Sequence, residues 1–178
     1  LGMGAVGRNV VERAVALKMK VKVHDPAVSA KEIARLGAKS VSWNRLLPQC
    51  DFITVHVSPS ERTRGLIGDA AFEHMKDRVR IINCSRGGVV DEDALVRAIR
   101  SGKVAGAAVD AWDEEPPTGN PLLEMPEVIC TPHLVATTFE AQINVAVRVA
   151  NQVQEFLSTG QADDVVNADE LNELEAVG

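Results

Sequence analysis

Gly2-Met3-Gly4-Ala5-Val6-Gly7, running on through Arg8-Asn9-Val10-Val11-Glu12-Arg13-Ala14-Val15, is the stretch that decides the fold. Glycines at this spacing serve, in order, a tight turn, close approach of backbone to a pyrophosphate, and close packing of the following helix on a sheet. Val6, Val10, Val11, Ala14 and Val15 carry the pattern into a helix, whose unpaired first N–H groups and positive end suit a phosphate. The next apolar run ends at Asp25, 18 residues past Gly7. A carboxylate there accepts hydrogen bonds from adenosine ribose hydroxyls and repels a 2′-phosphate, which favours NAD over NADP. The expected cofactor residues are therefore Gly2, Gly4, Gly7 and Asp25. The competing reading is a glycine turn and a strand-end aspartate in an unrelated α/β protein.

Working outward, apolar runs of strand length alternate with helix-period segments. Strands are expected at about 21–24, 39–41, 52–57, 79–82, 104–109 and 128–130, and their continuous apolar character suits a parallel sheet covered on both faces. Ser29 with Glu32 forms a capping box for a helix stopped by Gly37, Asp91 caps another stopped by Gly102, and Thr137 with Glu140 opens the longest. That last helix, 138–157, repeats apolar residues at Ile143, Val147, Ala150, Val153 and Leu157, so one face should pack on a neighbouring layer. The fold class is α/β, a doubly wound parallel sheet of Rossmann type. Only Leu1 stands where the strand leading into the glycine turn belongs, so the first strand and most of a substrate domain are expected to be missing. The expected division is a nucleotide-binding domain at 1–136, a long connecting helix at 137–160, and the start of a return segment to the substrate domain at 161–178.

Composition limits the alternatives. A net charge of −6 without a basic cluster argues against a nucleic-acid partner or an anionic membrane surface, and no apolar run reaches the roughly 20 residues of a membrane span. Cys50, Cys84 and Cys130 are far apart, lack metal-ligand spacing and lie in or beside apolar runs, as reduced thiols do; no metal is expected. With no charged-then-apolar leader at Leu1, the expected setting is cytoplasmic.

Three residues beyond strand ends carry candidate chemistry. His133, in Thr131-Pro132-His133-Leu134, suits two-way proton transfer at an alcohol oxygen. The competing role is a structural histidine. Asp113, Glu114 and Glu115 are adjacent acids, any of which would fix the tautomer of His133 and favour its imidazolium; charge alone does not choose among them. Arg86, followed by Gly87 and Gly88, offers a planar fork for a substrate carboxylate, against a surface ion pair as the bland alternative. Asp110 ends another strand, where ligands of open α/β sheets bind, and would fix a nicotinamide carboxamide or else cap a loop. Val57 and Cys84 sit at equivalent strand ends and would line the same cleft.

At this point the chain resembles the D-isomer-specific 2-hydroxyacid dehydrogenase family. The matching blocks are GMGAVGR, HDP, CDFITVHV followed by TRGLIG, IINCSRGGVVDEDALVRAI, GKVAGAAVDAWDEEPP, and VICTPHL with EAQ after it. The resemblance implies that Arg86 binds the substrate carboxylate, that Glu115 is the partner of His133, and that His133 donates and accepts the proton. It implies NAD contacts at Ala5, Val6, Asp25, Val57, Cys84, Asp110, His133, Val135 and Ala136. It also implies a small 2-hydroxy or 2-oxo acid substrate and a homodimer or homotetramer assembled through the nucleotide domain. The run from NCSRGG to EAQ is most similar to the branch that acts on 3-phosphoglycerate. Glyoxylate or hydroxypyruvate reductases and corepressor-like NAD(H)-sensing proteins are the alternatives. Two departures stand out: Val135 replaces a glycine two residues after the histidine, and Ser58 precedes Pro59 where the family places proline one residue earlier.

Overall fold

The computed structural model of the chain describes residues 1–135 and 137–161, and the chain divides into two compact units, Leu1–Val135 and Ala136–Gly178. In the first unit, β3 (Phe52–Val55), β4 (Val79–Asn83), β5 (Val104–Val109) and β6 (Val128–Cys130) form a parallel sheet in that order. A second parallel pair joins β1 (Lys22–Val23) to β2 (Lys39–Ser40). Leu1 and Gly2 connect the two sheets. The Leu1 nitrogen donates to Thr54 O at 2.7 Å, its carbonyl accepts from His56 N at 2.8 Å, and Gly2 N donates to His24 O at 3.1 Å. The spatial order is therefore β2, β1, the Leu1 rung, β3, β4, β5, β6, with the glycine turn leaving between β1 and β3.

The apolar runs are continuous because the sheet is covered on both sides. Ile53, Val55, Val79, Ile81, Val104 and Val109 are buried in one cluster with Phe72 of α4 (Asp69–His74) and Leu95 of α5 (Glu92–Arg100). Each such side chain contributes on the order of 1.5–3 kcal/mol relative to exposure. A smaller cluster of Met3, Val11, Val23 and Ile33 seats α1 (Ala5–Ala16) and α2 (Ala30–Arg35) around β1. Two of the three capping signals work as read: Ser29 and Glu32 bond reciprocally at the start of α2, and the Asp91 carboxylate accepts from Ala94 N at 2.8 Å at the start of α5. Gly37 and Gly102 follow those helices with φ of +78° and +77°. A four-residue helix, α3 (Trp43–Leu46), and α4 are too short to show a period in the sequence.

Three expectations change. β1, β2 and β3 are shorter than expected: Val21, His24, Val41 and His56 still make backbone hydrogen bonds to neighbouring chain but fall outside the regular strands, and Val57 lies beyond β3. The long helix, α6 (Phe139–Thr159), is capped by Thr138, whose hydroxyl accepts from Ala141 N at 3.2 Å, rather than by Thr137. A cap serves the N–H three residues on, and with the helix starting one residue later Glu140 falls in its first turn as a charge. Nor is the expected packing face covered. None of α6 is buried, and Ile143, Val147 and Leu157 are 46%, 55% and 78% exposed, since the described part of this unit offers no second layer. Among the described residues no helix is long and apolar enough to cross a membrane. Ala136 and all but the first residue of the expected return segment lie outside the described residues.

Candidate active site

The glycine turn is shaped by what its residues lack. A Cβ on Gly2 would stand 2.6 Å from His56 O, and Gly2 adopts φ +80°, a conformation that L side chains rarely take. A Cβ on Gly7 would stand 2.3 Å from Gly2 O, whereas one on Gly4 would meet nothing within 4 Å. Gly2 and Gly7 thus fold the turn, and Gly4 faces the open side. Gly4 caps α1 without a side-chain hydrogen bond, and the first turn carries no acid, so exposed Ala5 and Val6 present backbone to an anion without a competing carboxylate. Asp25 braces this turn: Oδ2 accepts from Met3 N at 2.6 Å and Oδ1 from Ala27 N at 2.8 Å. It remains partly exposed beside the turn. His56, whose carbonyl bounds Gly2, pairs Nε2 with the Thr54 hydroxyl at 2.9 Å, and burial lowers its pKa to about 4, leaving the ring neutral.

Across the sheet, the loop after β4 is tied down by Asn83, 2% exposed. Its Oδ1 accepts from the Ser85 hydroxyl at 2.9 Å, and its Nδ2 donates to Arg86 O at 3.1 Å. A Cβ on Gly87 would stand 2.0 Å from Trp112 O, so the Arg86 loop lies flush against the loop that carries Glu115. Arg86 is exposed, and its Nη1 donates to Ser85 O at 2.7 Å. An open cleft of about 460 Å³ lies beside this loop, lined by Pro59, Ser60, Thr63, Arg64, Gly87 and Gly88. Cys84 is half-buried at the end of β4; burial raises its pKa, and the charge of Asp110 raises it further.

Of the three adjacent acids, Glu115 reaches the histidine: His133 Nδ1 lies 2.8 Å from Oε1 and 3.1 Å from Oε2. Asp113 is turned toward Gly88, and its N–H donates to Glu92 at 2.8 Å. The His133 hydrogen bond, then the Trp112 N–H, hold the Glu115 carboxyl below its usual range. An ionised carboxylate only accepts, so Nδ1 is the donor, and in the neutral ring the lone pair falls on Nε2. His133 itself sits at φ +57°, left-handed for a residue with a side chain. Val135 takes no positive φ, so the valine that stands in place of the family's glycine has no left-handed backbone to accommodate.

Asp110 is 4% exposed, and its carboxylate serves this loop: Oδ1 accepts from the Thr131 hydroxyl and from Leu134 N at 2.7 Å, and Oδ2 from Val135 N at 3.1 Å. Burial raises its pKa, yet these hydrogen bonds outweigh it and leave the group below the ordinary carboxylate range. Trp112 joins the halves, donating from its indole to Thr131 O at 2.9 Å and from its N–H to Glu115 at 3.3 Å. The structure therefore brings Glu115, His133 and Asp110 together and sets Arg86 on the adjoining loop without contact to them. Asn83, Ser85, Trp112 and Thr131 escaped the sequence reading. The available signals were a polar residue ending the RIIN run and a hydroxyl directly before Pro132.

A parallel sheet, a glycine turn between β1 and β3 and an acid–histidine pair at the strand ends define a dinucleotide-binding domain of Rossmann type. The family model of the D-isomer specific 2-hydroxyacid dehydrogenase NAD binding domain matches residues 1–135, and the chain belongs to that family. It is 47% identical over 154 residues to D-3-phosphoglycerate dehydrogenase of Archaeoglobus fulgidus, covering 86% of this chain and 29% of that protein. It is 42% identical to D-3-phosphoglycerate dehydrogenase of Homo sapiens, covering 96% of this chain and 32% of that protein. The chain thus spans roughly a third or less of the length of these curated relatives. A glyoxylate reductase structure from Paecilomyes thermophila superposes with a TM-score of 0.85 at 36% identity, over 94% of this chain and 51% of that one. The NAD-complexed D-isomer specific 2-hydroxyacid dehydrogenase of Lactobacillus delbrueckii ssp. bulgaricus gives 0.82 at 28%, over 93% and 54%.

Proposed function

We propose that this chain supplies the nucleotide site and the proton-transfer pair of an enzyme that interconverts 3-phosphoglycerate and 3-phosphohydroxypyruvate with NAD. The observation that carries the chemistry is the Glu115–His133 pair, with Nε2 unengaged by the carboxylate. NAD, when bound, supplies the hydride acceptor. The turn at Gly2, Gly4 and Gly7 with the α1 N-terminus would hold its pyrophosphate, and Asp25, beside that turn, would accept from the ribose. Ala5, Val6, Val57, Cys84 and Val135 would line it, and the Asp110 Oδ2 lone pair left over from Val135 N would accept from its carboxamide. His133 Nε2 takes the hydroxyl proton as the carbon loses hydride, and Glu115 stabilises the resulting imidazolium. The Arg86 fork grips the substrate carboxylate. Residues 1–136 act as the nucleotide-binding part and 137–160 as a connecting helix.

The choice of substrate rests on the D-3-phosphoglycerate dehydrogenases at 41–47% identity. The glyoxylate reductase at 36% identity favours a second reading, reduction of glyoxylate or hydroxypyruvate with the same residues. Steady-state kinetics of the full-length protein on 3-phosphoglycerate, glyoxylate and hydroxypyruvate separate them. A dominant kcat/KM on 3-phosphoglycerate is expected; no turnover of it, with turnover of glyoxylate, replaces the first reading with the second.

A further inference from the structure

We infer that Asp110 and Thr131 are positioning residues that hold His133 in its left-handed backbone and so aim the imidazole. The inference rests on His133 as the proton-transfer group. β6 ends at Cys130, and Thr131 N still continues the ladder to Val109 O at 3.0 Å. Pro132 has no N–H to extend the ladder, and the chain then turns at His133 with φ +57°. A side-chain-bearing residue adopts that conformation uncommonly, and its surroundings must hold it there. Here the determinant brackets the histidine: Asp110 accepts from Thr131, two residues before it, and from the N–H groups of Leu134 and Val135, one and two residues after. A buried carboxylate needs such donors, and all three of these belong to the histidine loop.

Thr131 is the hinge of the arrangement. Its hydroxyl orients the Asp110 carboxylate, while its carbonyl receives the indole N–H of Trp112, whose backbone N–H binds Glu115. The 2.8 Å contact between Glu115 and His133 is thus framed from both sides by one connected set of bonds. Glu115, in contact, and Asp110, through its charge, both bear on His133.

The test uses the full-length protein with His133→Ala as control. Thr131→Val should lower kcat by about tenfold to a hundredfold, the scale of a misplaced catalytic group, while NADH affinity changes by about twofold or less, within the scatter expected when ground-state binding is untouched. Thr131→Ser, which keeps the hydroxyl, should recover most of the loss. Asp110→Asn should lower kcat at least as far and move the midpoint of the reductive pH–rate profile to lower pH, because an anion near the imidazolium is gone. Circular dichroism of each variant separates misfolding from mispositioning, and if Thr131→Val does not fold, the kcat and pH profile of Asp110→Asn decide, its NADH affinity being set aside because Asp110 also faces the carboxamide in the proposed site. Wild-type kcat and pH profile in both variants, beside an inactive His133→Ala, would overturn the positioning role and leave the reading of His133 standing. Equal impairment of the valine and serine variants would overturn it too, as a packing effect. An active His133→Ala would remove the foundation of both.

Discussion

The glycine turn and the rim at the ends of β4, β5 and β6 face the same side of the sheet but are built from different material. At the turn the chain offers backbone: Gly2 and Gly7 lie against other backbone at distances no Cβ tolerates, and Gly4 opens outward. At the rim it offers side chains, each oriented by another, from Asn83 under the Arg86 loop to Trp112 between Thr131 and Glu115. A site made of missing atoms fails by gaining one. A site made of networked side chains fails by losing one, and its binding and chemistry come apart.

The widest separation is expected from His133→Ala. Turnover of a hydroxy acid should fall by about 10²- to 10⁴-fold, the usual worth of a positioned acid–base group, with NADH affinity largely kept because the turn lies elsewhere. Stopped-flow turnover and NADH fluorescence titration read the two quantities. Joint collapse of both would mean that rim and turn are one structural unit rather than two.

Gly7→Ala probes the other region. The added methyl meets Gly2 O at 2.3 Å, so the turn must open, at about 1–3 kcal/mol for an overpacked site. NADH affinity should fall accordingly while the Glu115–His133 pair stays intact. Gly4→Ala sharpens the contrast: with nothing within 4 Å of its Cβ, the protein should keep its melting temperature, and only cofactor affinity should drop. A melting temperature lowered as far by Gly4→Ala as by Gly7→Ala would refute the division of roles between the glycines.

The two regions also differed in how much the sequence disclosed. The turn was legible because glycine spacing encodes backbone geometry directly, and β5 and β6 came out at their full extent because both are continuous apolar runs. The rim was legible in residue type and not in pairing. Asp113, Glu114 and Glu115 are equivalent as charges; what separates them is that Trp112 N–H and Glu92 orient the loop, and those partners are local backbone and a residue 21 positions away. Asp110 was legible as a strand-end acid, but nothing in the sequence shows that N–H groups 24 and 25 residues on would also bond to it. The apolar stripe of α6 was plain, but what covers it is not a property of the stripe.

The smallest expected effect is also the most diagnostic of how the rim works. The His133 hydrogen bond, then the Trp112 N–H, lower the pKa of Glu115, so the carboxylate is an anion at neutral pH. For a depressed carboxyl, the stabilising contact is present above the unfolded-state value and disappears as pH falls through the folded-state value. In Glu115→Gln the charge is absent at every pH, and support for an imidazolium goes with it. Reduction of a 2-oxo acid needs the protonated ring, so its rate falls as pH rises through the ring's titration. That midpoint should move to lower pH, the direction set by losing an anion in contact with the ring. The pH-independent plateau on the acid side should change far less, because an amide oxygen still accepts from Nδ1 and keeps the ring oriented. A midpoint unmoved, with the plateau lowered instead, would make Glu115 a geometric support whose charge plays no part. The rim would then resemble the glycine turn, a site defined by shape.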